Sequence, residues 1–453
     1  MRLEACGGLP HLLTTLVGSW AVLTGGGSPP QQVVAEWHGE MTLKIGLDAK
    51  PGHDFISPTV NGVDQDGRIY VYDRRLDELR RFDTEGRFLD VVARRGDGPG
   101  DLRPGIFLRV DSTYIWYSDQ RGRVQWITLD GRPLRTVSTG ITAGGLGVAA
   151  LTILNLPDDS TVLVMAGERT QPPRDGQRIQ FTNRYQLVTI GGHHRRTLFE
   201  FQWLGAISLD GGRTRISFPG PYEGPAVIPR PHQGRLRFLS VENLRAHRGE
   251  APLIRLRLTE ESGTVIRERD LALEPVPFSP ALRDSLRTRL LNSASFGGRR
   301  NLEPTTLRHL REIANSWPEY LPAFEQASAG PDGLLFLKRP ASNPTEPREW
   351  LVVDSLFNPV ARAYLPPAVE RLSFIGNQFW ATAIDELDVR FVARVRFEER
   401  LLRGPDCVDV GRVPGWLSSR SSAFRPLRFR STTAAVPIRQ RRIESNDCSS
   451  STR

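Results

Sequence analysis

The sequence predicts an all-β protein, a six-bladed β-propeller closed by its N-terminal strand, and three observations carry that prediction. The stretch from Gly62 to Leu102 reads as three short strands separated by glycine-bearing turns. Asp66-Gly67 is a favoured hairpin pair and precedes the β-branched and aromatic run Ile69-Tyr70-Val71-Tyr72. Leu79 to Phe82 gives a second strand, and Asp83-Thr84-Glu85-Gly86 turns the chain into a third from Phe88 to Ala93. The unit then repeats: Ile115 to Asp119 matches Ile69 to Asp73 at an offset of 46, and Leu129 to Leu134 matches Thr84 to Leu89 at an offset of 45. A period of roughly 40 to 50 residues with several short strands is a propeller pattern, because one such sheet cannot bury both faces alone. Finally, 42 glycines and 34 prolines supply the turns that so many short strands need.

Taken in order, the chain divides into a leader (residues 1–30), a propeller (31–400) and a tail (401–453). The leader holds Arg2, an apolar run from Leu12 to Leu23 and Gly25-Gly26-Gly27-Ser28. About a dozen apolar residues are too few to span a bilayer and match a signal-peptide core. Export to the periplasm or the cell exterior is therefore expected, with no transmembrane span, although Glu4 and the lack of a small-x-small cleavage site depart from the pattern. Trp37 to Ile45 alternates cleanly and is expected to complete the last blade as a clasp.

Two strand sets follow to about residue 138. A third spans roughly 148–204, with a long polar loop from Gly167 to Arg178, and a fourth 214–270, where Ile254, Leu256 and Leu258 alternate with Arg255 and Arg257. The period then changes. Ser279-Pro280 is a helix start with leucines at 282, 286 and 290, and Thr306 opens a second helix ending at Trp317-Pro318, so a helical insertion is expected near 279–326. Strands resume at 334–337, 350–354 and 361–365, and the last set is 379–383 with 389–397. Beyond residue 400 the Ser-, Arg- and Pro-rich composition reads as a disordered tail.

The net charge of +9 raises nucleic-acid binding, but residues 401–453 carry ten Arg against four Asp or Glu, which leaves only +3 on residues 1–400. A nearly balanced body argues against nucleic acid. Cys6, Cys407 and Cys448 lie outside the repeats and form no metal pattern.

The segment GRIYVYDRRLDELRRFDTEGRFLDVVARRGDGPGDL resembles the repeats of bacterial NHL-type six-bladed propellers, with their DG-x-hydrophobic-run-D and FD-x-x-G-x-hydrophobic units and a Gly-x-Gly-Pro-Gly loop, here Gly96 to Gly100. Ile384 to Val389 is similar to the terminal-blade motif of exported members. The resemblance is specific in the first two units and weaker over 330–400. It implies a fold and export and transfers no catalytic residue.

Candidate site residues lie in loops. Arg95 and Asp97 flank and join the Gly96–Gly100 loop, which lacks the Lys-Ser/Thr of a phosphate loop. Tyr222, with Glu223, sits in a Pro-Gly loop expected at the ring's mouth. Asp385 and Glu386, with Asp388, offer oxygen ligands to a divalent metal such as Ca²⁺ but lack calcium-loop spacing. Asp73 and Asp119 recur at equivalent positions and are expected to cap turns. His193-His194 lies beside Arg195-Arg196, cations that disfavour a metal. No GxSxG or HExxH motif is present. The expectation is an exported binding protein without cofactor, more a binder than an enzyme, monomeric, taking a protein, glycan or small-molecule ligand. The alternative is a propeller-type hydrolase or lyase, similar to gluconolactonase-like enzymes, with a divalent metal held in the channel.

Overall fold

Apolar–polar alternation folds the repeats into short antiparallel meanders. The computed structural model describes residues 35–401 apart from 49, 104, 120–121, 139–149, 156–160, 170–177, 190–194, 210–213, 218–225, 233–234, 245–251, 295–307, 309–310, 312–318, 342 and 344. Strand β1 (Ala35–Ile45) comes first. The first sheet holds β2 (Pro58–Val63), β3 (Ile69–Asp73), β4 (Glu78–Phe82) and β5 (Phe88–Ala93), and the second β6 (Gly105–Val110), β7 (Tyr114–Asp119), β8 (Arg123–Thr128) and β9 (Pro133–Ser138). A five-stranded sheet follows, with β10 (Ala150–Asn155), β11 (Thr161–Arg169), β12 (Arg178–Thr189), β13 (Arg195–Leu209) and β14 (Thr214–Ser217). The fourth contains β15 (Ala226–His232), β16 (Arg235–Leu244), β17 (Leu253–Glu260) and β18 (Val265–Ala272). After helix α1 (Pro280–Ala294) come β19 (Gln326–Ala329), β20 (Leu335–Lys338), β21 (Arg348–Val353), β22 (Pro359–Leu365), β23 (Val369–Ile375), β24 (Gln378–Ile384) and β25 (Arg390–Leu401).

These last seven strands and β1 form one eight-stranded sheet, in the order β19-β20-β21-β22-β1-β25-β24-β23. β1 runs antiparallel to β25 from Ala35↔Leu401 to Ile45↔Val392, which is the clasp expected from the sequence. Its first four residues also pair in parallel with β22, from Ala35↔Ala361 to His38↔Tyr364. That second pairing corrects the expected six separate strand sets: four sheets stand alone, and the last two sets merge through β1.

Apolar clusters link the sheets in chain order and return to the start. Tyr70, Leu79, Ile115 and Ile127 join the first sheet to the second. Trp116 and Trp126 meet Val162 and Val188 of the third, and Leu163, Tyr185 and Phe201 meet Phe238 of the fourth. Val241, Ile254 and Leu256 pack on Leu335, Leu337 and Leu351. Phe336 and Trp350 pack with Leu372, Ala381 and Val395 across the eight-stranded sheet. Ile45, Trp380 and Val392 then close on Val60, Val71 and Phe82 of the first. Each sheet thus covers both faces with its neighbours, a propeller-like, all-β arrangement.

Carboxylates set the hairpins. Asp64 Oδ1 accepts the amides of Asp66 and Arg68 at 3.0 and 2.9 Å, and Asp83 Oδ1 those of Glu85 and Arg87 at 3.0 and 2.8 Å. Asp354 does the same with Leu356 and Asn358, and Asp385 with Leu387 and Val389. The residue three after each carboxylate takes a positive φ, which Gly67 and Gly86 adopt without Cβ strain. In the last hairpin this position is Asp388, with φ 61° and an exposed side chain. Asp388→Gly is expected to raise stability by about 0.5 kcal/mol, the relief of left-handed strain less the entropy glycine adds to the unfolded chain. The midpoint of urea unfolding checks it, and an unchanged or lower midpoint would contradict it.

Other expectations change in detail. Helix α1 starts where Ser279 predicts, with the Leu282 amide donating to Ser279 Oγ at 3.3 Å. The residues of the second expected helix lie almost wholly outside those described. The insertion is shorter than 279–326, because Tyr320 to Phe324 returns as extended chain: Leu321 N–H donates to Val276 O at 2.9 Å, and Leu321, Ala323 and Phe324 are buried. The loop read as Gly167 to Arg178 shrinks, since β11 runs to Arg169.

Candidate binding site

The first strands of the sheets lie side by side: β2 beside β6, β6 beside β10, β15 beside β19, β19 beside β23 and β23 beside β2. Two cavities open along them. One of about 1110 Å³ lies where β2 and β23 begin, against Ile56 to Thr59 and Val369 to Arg371. The other, about 660 Å³, lies where the same strands end, against Val63 and Ser373 to Gly376. Asn61, Phe107 and Leu108 line both, so the two cavities adjoin.

Strand alternation places the lining. On β23, Arg371 and Ser373 are exposed on either side of buried Leu372. On β2, Thr59 and Asn61 are half-buried between buried Pro58, Val60 and Gly62. Gly62 lets β2 approach β6, since a Cβ there would lie 2.6 Å from the Val110 carbonyl oxygen. Asn61 Nδ2 donates to Leu108 O at 2.6 Å and Thr382 Oγ1 to Pro58 O at 3.3 Å, tying β2 to the strands on either side.

The larger cavity is basic. Arg74, Arg75, Lys338, Arg348, Arg371 and Arg390 line it with one carboxylate, Glu370. Lys338 Nζ donates to Glu370 O at 3.0 Å and stands 3.4 Å from Glu325. Arg390 Nε is 3.5 Å from Glu370 Oε2, and Arg348 Nε donates to Pro367 O at 3.4 Å. Arg74, Arg75 and Arg371 are exposed and make no ion pair among the described residues.

None of the described residues singled out from the sequence lines either cavity. Arg95 binds Asp77 through Nε and Nη2 at 2.9 and 2.6 Å. Asp97 pairs with Arg103 at 2.7 Å. Asp385 caps its hairpin as above, and Glu386 is an exposed residue of the same turn. Tyr222, with Glu223, and His193-His194 lie outside the described residues. Asp73 caps as expected, its Oδ2 accepting Ile56 and Ser57 amides at 2.6 and 3.2 Å and its Oδ1 that of Arg75 at 2.9 Å; Asp119 accepts the Arg123 amide at 2.9 Å.

Asp77 also accepts the Tyr72 hydroxyl at 2.9 Å, and the buried tyrosines of the repeats share one electrostatic consequence. Burial pushes the Tyr70 and Tyr185 phenols up to about 12 and raises those of Tyr72, Tyr117 and Tyr364. A folded pKa above the unfolded value gives stability that is complete below about pH 10 and is lost as pH rises through the folded value. In an ultraviolet titration the four buried tyrosines Tyr70, Tyr72, Tyr117 and Tyr185, of eight in all, are expected to ionise only together with loss of the near-ultraviolet circular dichroism. Ionisation of all eight near pH 10 with the fold intact would contradict it.

The cavity residues missed in the sequence come from strand ends and short connections far apart in the chain. Lys338, one of only three lysines, was the single compositional signal.

No protein-family model and no curated protein matches the chain. Among solved structures, a member of the DUF4221 family from Bacteroides vulgatus is similar at TM-score 0.47 and 13% identity, over 82% of this chain and 100% of that one. An exported protein from Bacteroides fragilis is similar at TM-score 0.39 and 11% identity, over 80% and 95%. The calcium-binding protein regucalcin from Agrobacterium tumefaciens is similar at TM-score 0.38 and 11% identity, over 80% and 97%.

Proposed function

We propose that this chain is an exported six-bladed propeller of the NHL type that works by binding, with its ligand seated in the channel between the first strands. The meeting of the two cavities at Asn61, Phe107 and Leu108 supports the reading most, because ligand sites are few, concave and largely preformed. The blade count is supported by the eight-stranded sheet, which divides between β22 and β1 into two four-stranded antiparallel sets. The export assignment rests on the composition of residues 1–30. Among the described residues no helix is long and apolar enough to cross a membrane. Also among the described residues, no three His, Cys, Asp or Glu side chains converge to hold a metal.

Ser373→Trp puts an indole into the channel from an exposed position. Wild-type protein incubated with a small-molecule extract of bacterial cells and washed is expected to retain a compound detectable by mass spectrometry. The folded Trp variant is expected to lose it. Equal retention by both proteins, or none by either, would count against the channel.

A further inference from the structure

Several strand-face arginines elsewhere in the described fold come with carboxylates. Arg80 is held by Asp54 and Glu78 at 2.8 Å each, and Arg81 by Asp90 and Asp130 at 2.6 and 3.0 Å. Arg123 pairs with Asp119, Arg255 with Asp270 and Arg257 with Glu268. Arg109, in the smaller cavity, pairs with Asp111 at 3.1 Å. The cavity where β2 and β23 begin is different. Six cations face it with one carboxylate, that of Glu370, which already stands beside Arg390, while the Glu370 backbone carbonyl accepts from Lys338.

Resting on the channel reading, we propose that this basic mouth binds a small oxyanion carrying two or more negative charges, a di- or tricarboxylate or a phosphate ester. Like charges gathered in a concave, partly desolvated site repel one another, and a bound anion relieves that repulsion while the cavity walls focus the field on it. Arg74 and Arg371 supply the uncommitted guanidinium forks suited to carboxylate or phosphate oxygens. They reach the cavity from different elements, the turn after β3 and the innermost strand β23, so one ligand with separated charges engages both. Arg348, Lys338 and Arg390 surround them with donors already oriented by Pro367 O, Glu325 and Glu370. The volume of about 1110 Å³ admits a ligand of that size with its water.

Isothermal titration with citrate and with pyrophosphate, on the full chain at low ionic strength, tests the assignment. At least one is expected to bind, weakening by about tenfold or more when salt is raised to about 0.15 M, where screening sets in within about 8 Å. The tighter of the two identifies a carboxylate or a phosphate source. The double variant Arg74→Ala/Arg371→Ala removes two exposed side chains that hold no partner, and it is expected to keep the wild-type unfolding midpoint while losing at least tenfold in affinity. Failure of both anions to bind, or equal binding by the double variant, would overturn the proposal. If the extract experiment meanwhile yields an uncharged compound that Ser373→Trp excludes, the channel reading stands and only the anion assignment falls. If nothing is retained and neither anion binds, both fall.

Discussion

Removal of residues 1–46 is expected to abolish cooperative unfolding of what remains. β1 is the early strand that joins the last strands described, with ten register pairs to β25 and four more to β22. Ile45 is fully buried, Ala35 nearly so, and Trp37, Met41 and Leu43 pack on the same clusters. At about 1.5–3 kcal/mol for each large apolar side chain fully buried, and less for the partly buried ones, the strand contributes several kcal/mol. That is comparable with the whole stability of about 5–15 kcal/mol common to folded domains. The loss also exposes the edge of β25 and the hydrophobic flank of the first sheet, where Val60, Val71 and Phe82 sit. Thermal unfolding followed by circular dichroism should show a broad, low transition or none, and a synthetic peptide of residues 35–46 should restore a sharp one. A truncated chain that melts sharply near the wild-type midpoint would mean that β1 does not close the ring.

The two halves of the architecture differ in how legible they were. β3, β4, β5, β7 and β8 announce themselves through β-branched and aromatic runs bounded by turn pairs, and the turn aspartates through their spacing. The first strands do not. β2, β6 and β23 each carry a register shift, between Val60 and Gly62, Gly105 and Phe107, and Val369 and Arg371. A bulge puts two residues opposite one and interrupts the period-two pattern by which a strand is read. Pro58 and Gly62 within β2, and Gly105 in β6, weaken the signal further. These same strands line the cavities. A register shift alone does not hide a strand, since the legible pairs β4–β5 and β8–β9 carry them too; in β2 and β6 it is the bulge together with proline or glycine that erases the pattern.

Motif reading favoured loops, where glycine and acidic clusters stand out, and the structure assigns several of those clusters to turns and ion pairs. Arg95 and Asp97 illustrate the limit, since each has a carboxylate or guanidinium partner within 3 Å. Arg74 and Arg371 lie 297 positions apart in the sequence. No local pattern joins them, and only the return of the last strands to the first sheet brings both to one cavity.

The sheet that rejoins the ends also sets the second large expectation. Trp350, fully buried on β21, packs in the cluster with Phe336, Val352, Ala361 and Leu365. Trp350→Ala is expected to destabilise the protein by about 3–5 kcal/mol, the transfer energy of the ring plus the cavity it leaves. Trp350→Phe separates packing from polarity. The indole Nε1 is buried without an acceptor among the described residues, and an unsatisfied buried donor costs about 1–3 kcal/mol. Phenylalanine loses part of the packing and also removes that donor, so the two changes oppose each other and the net effect is expected within about 1 kcal/mol of wild type. Urea unfolding of the three proteins decides it. A phenylalanine variant as unstable as the alanine variant would mean that the indole N–H is satisfied, and that the polar end of Trp350, rather than its bulk, holds the two halves of the eight-stranded sheet together.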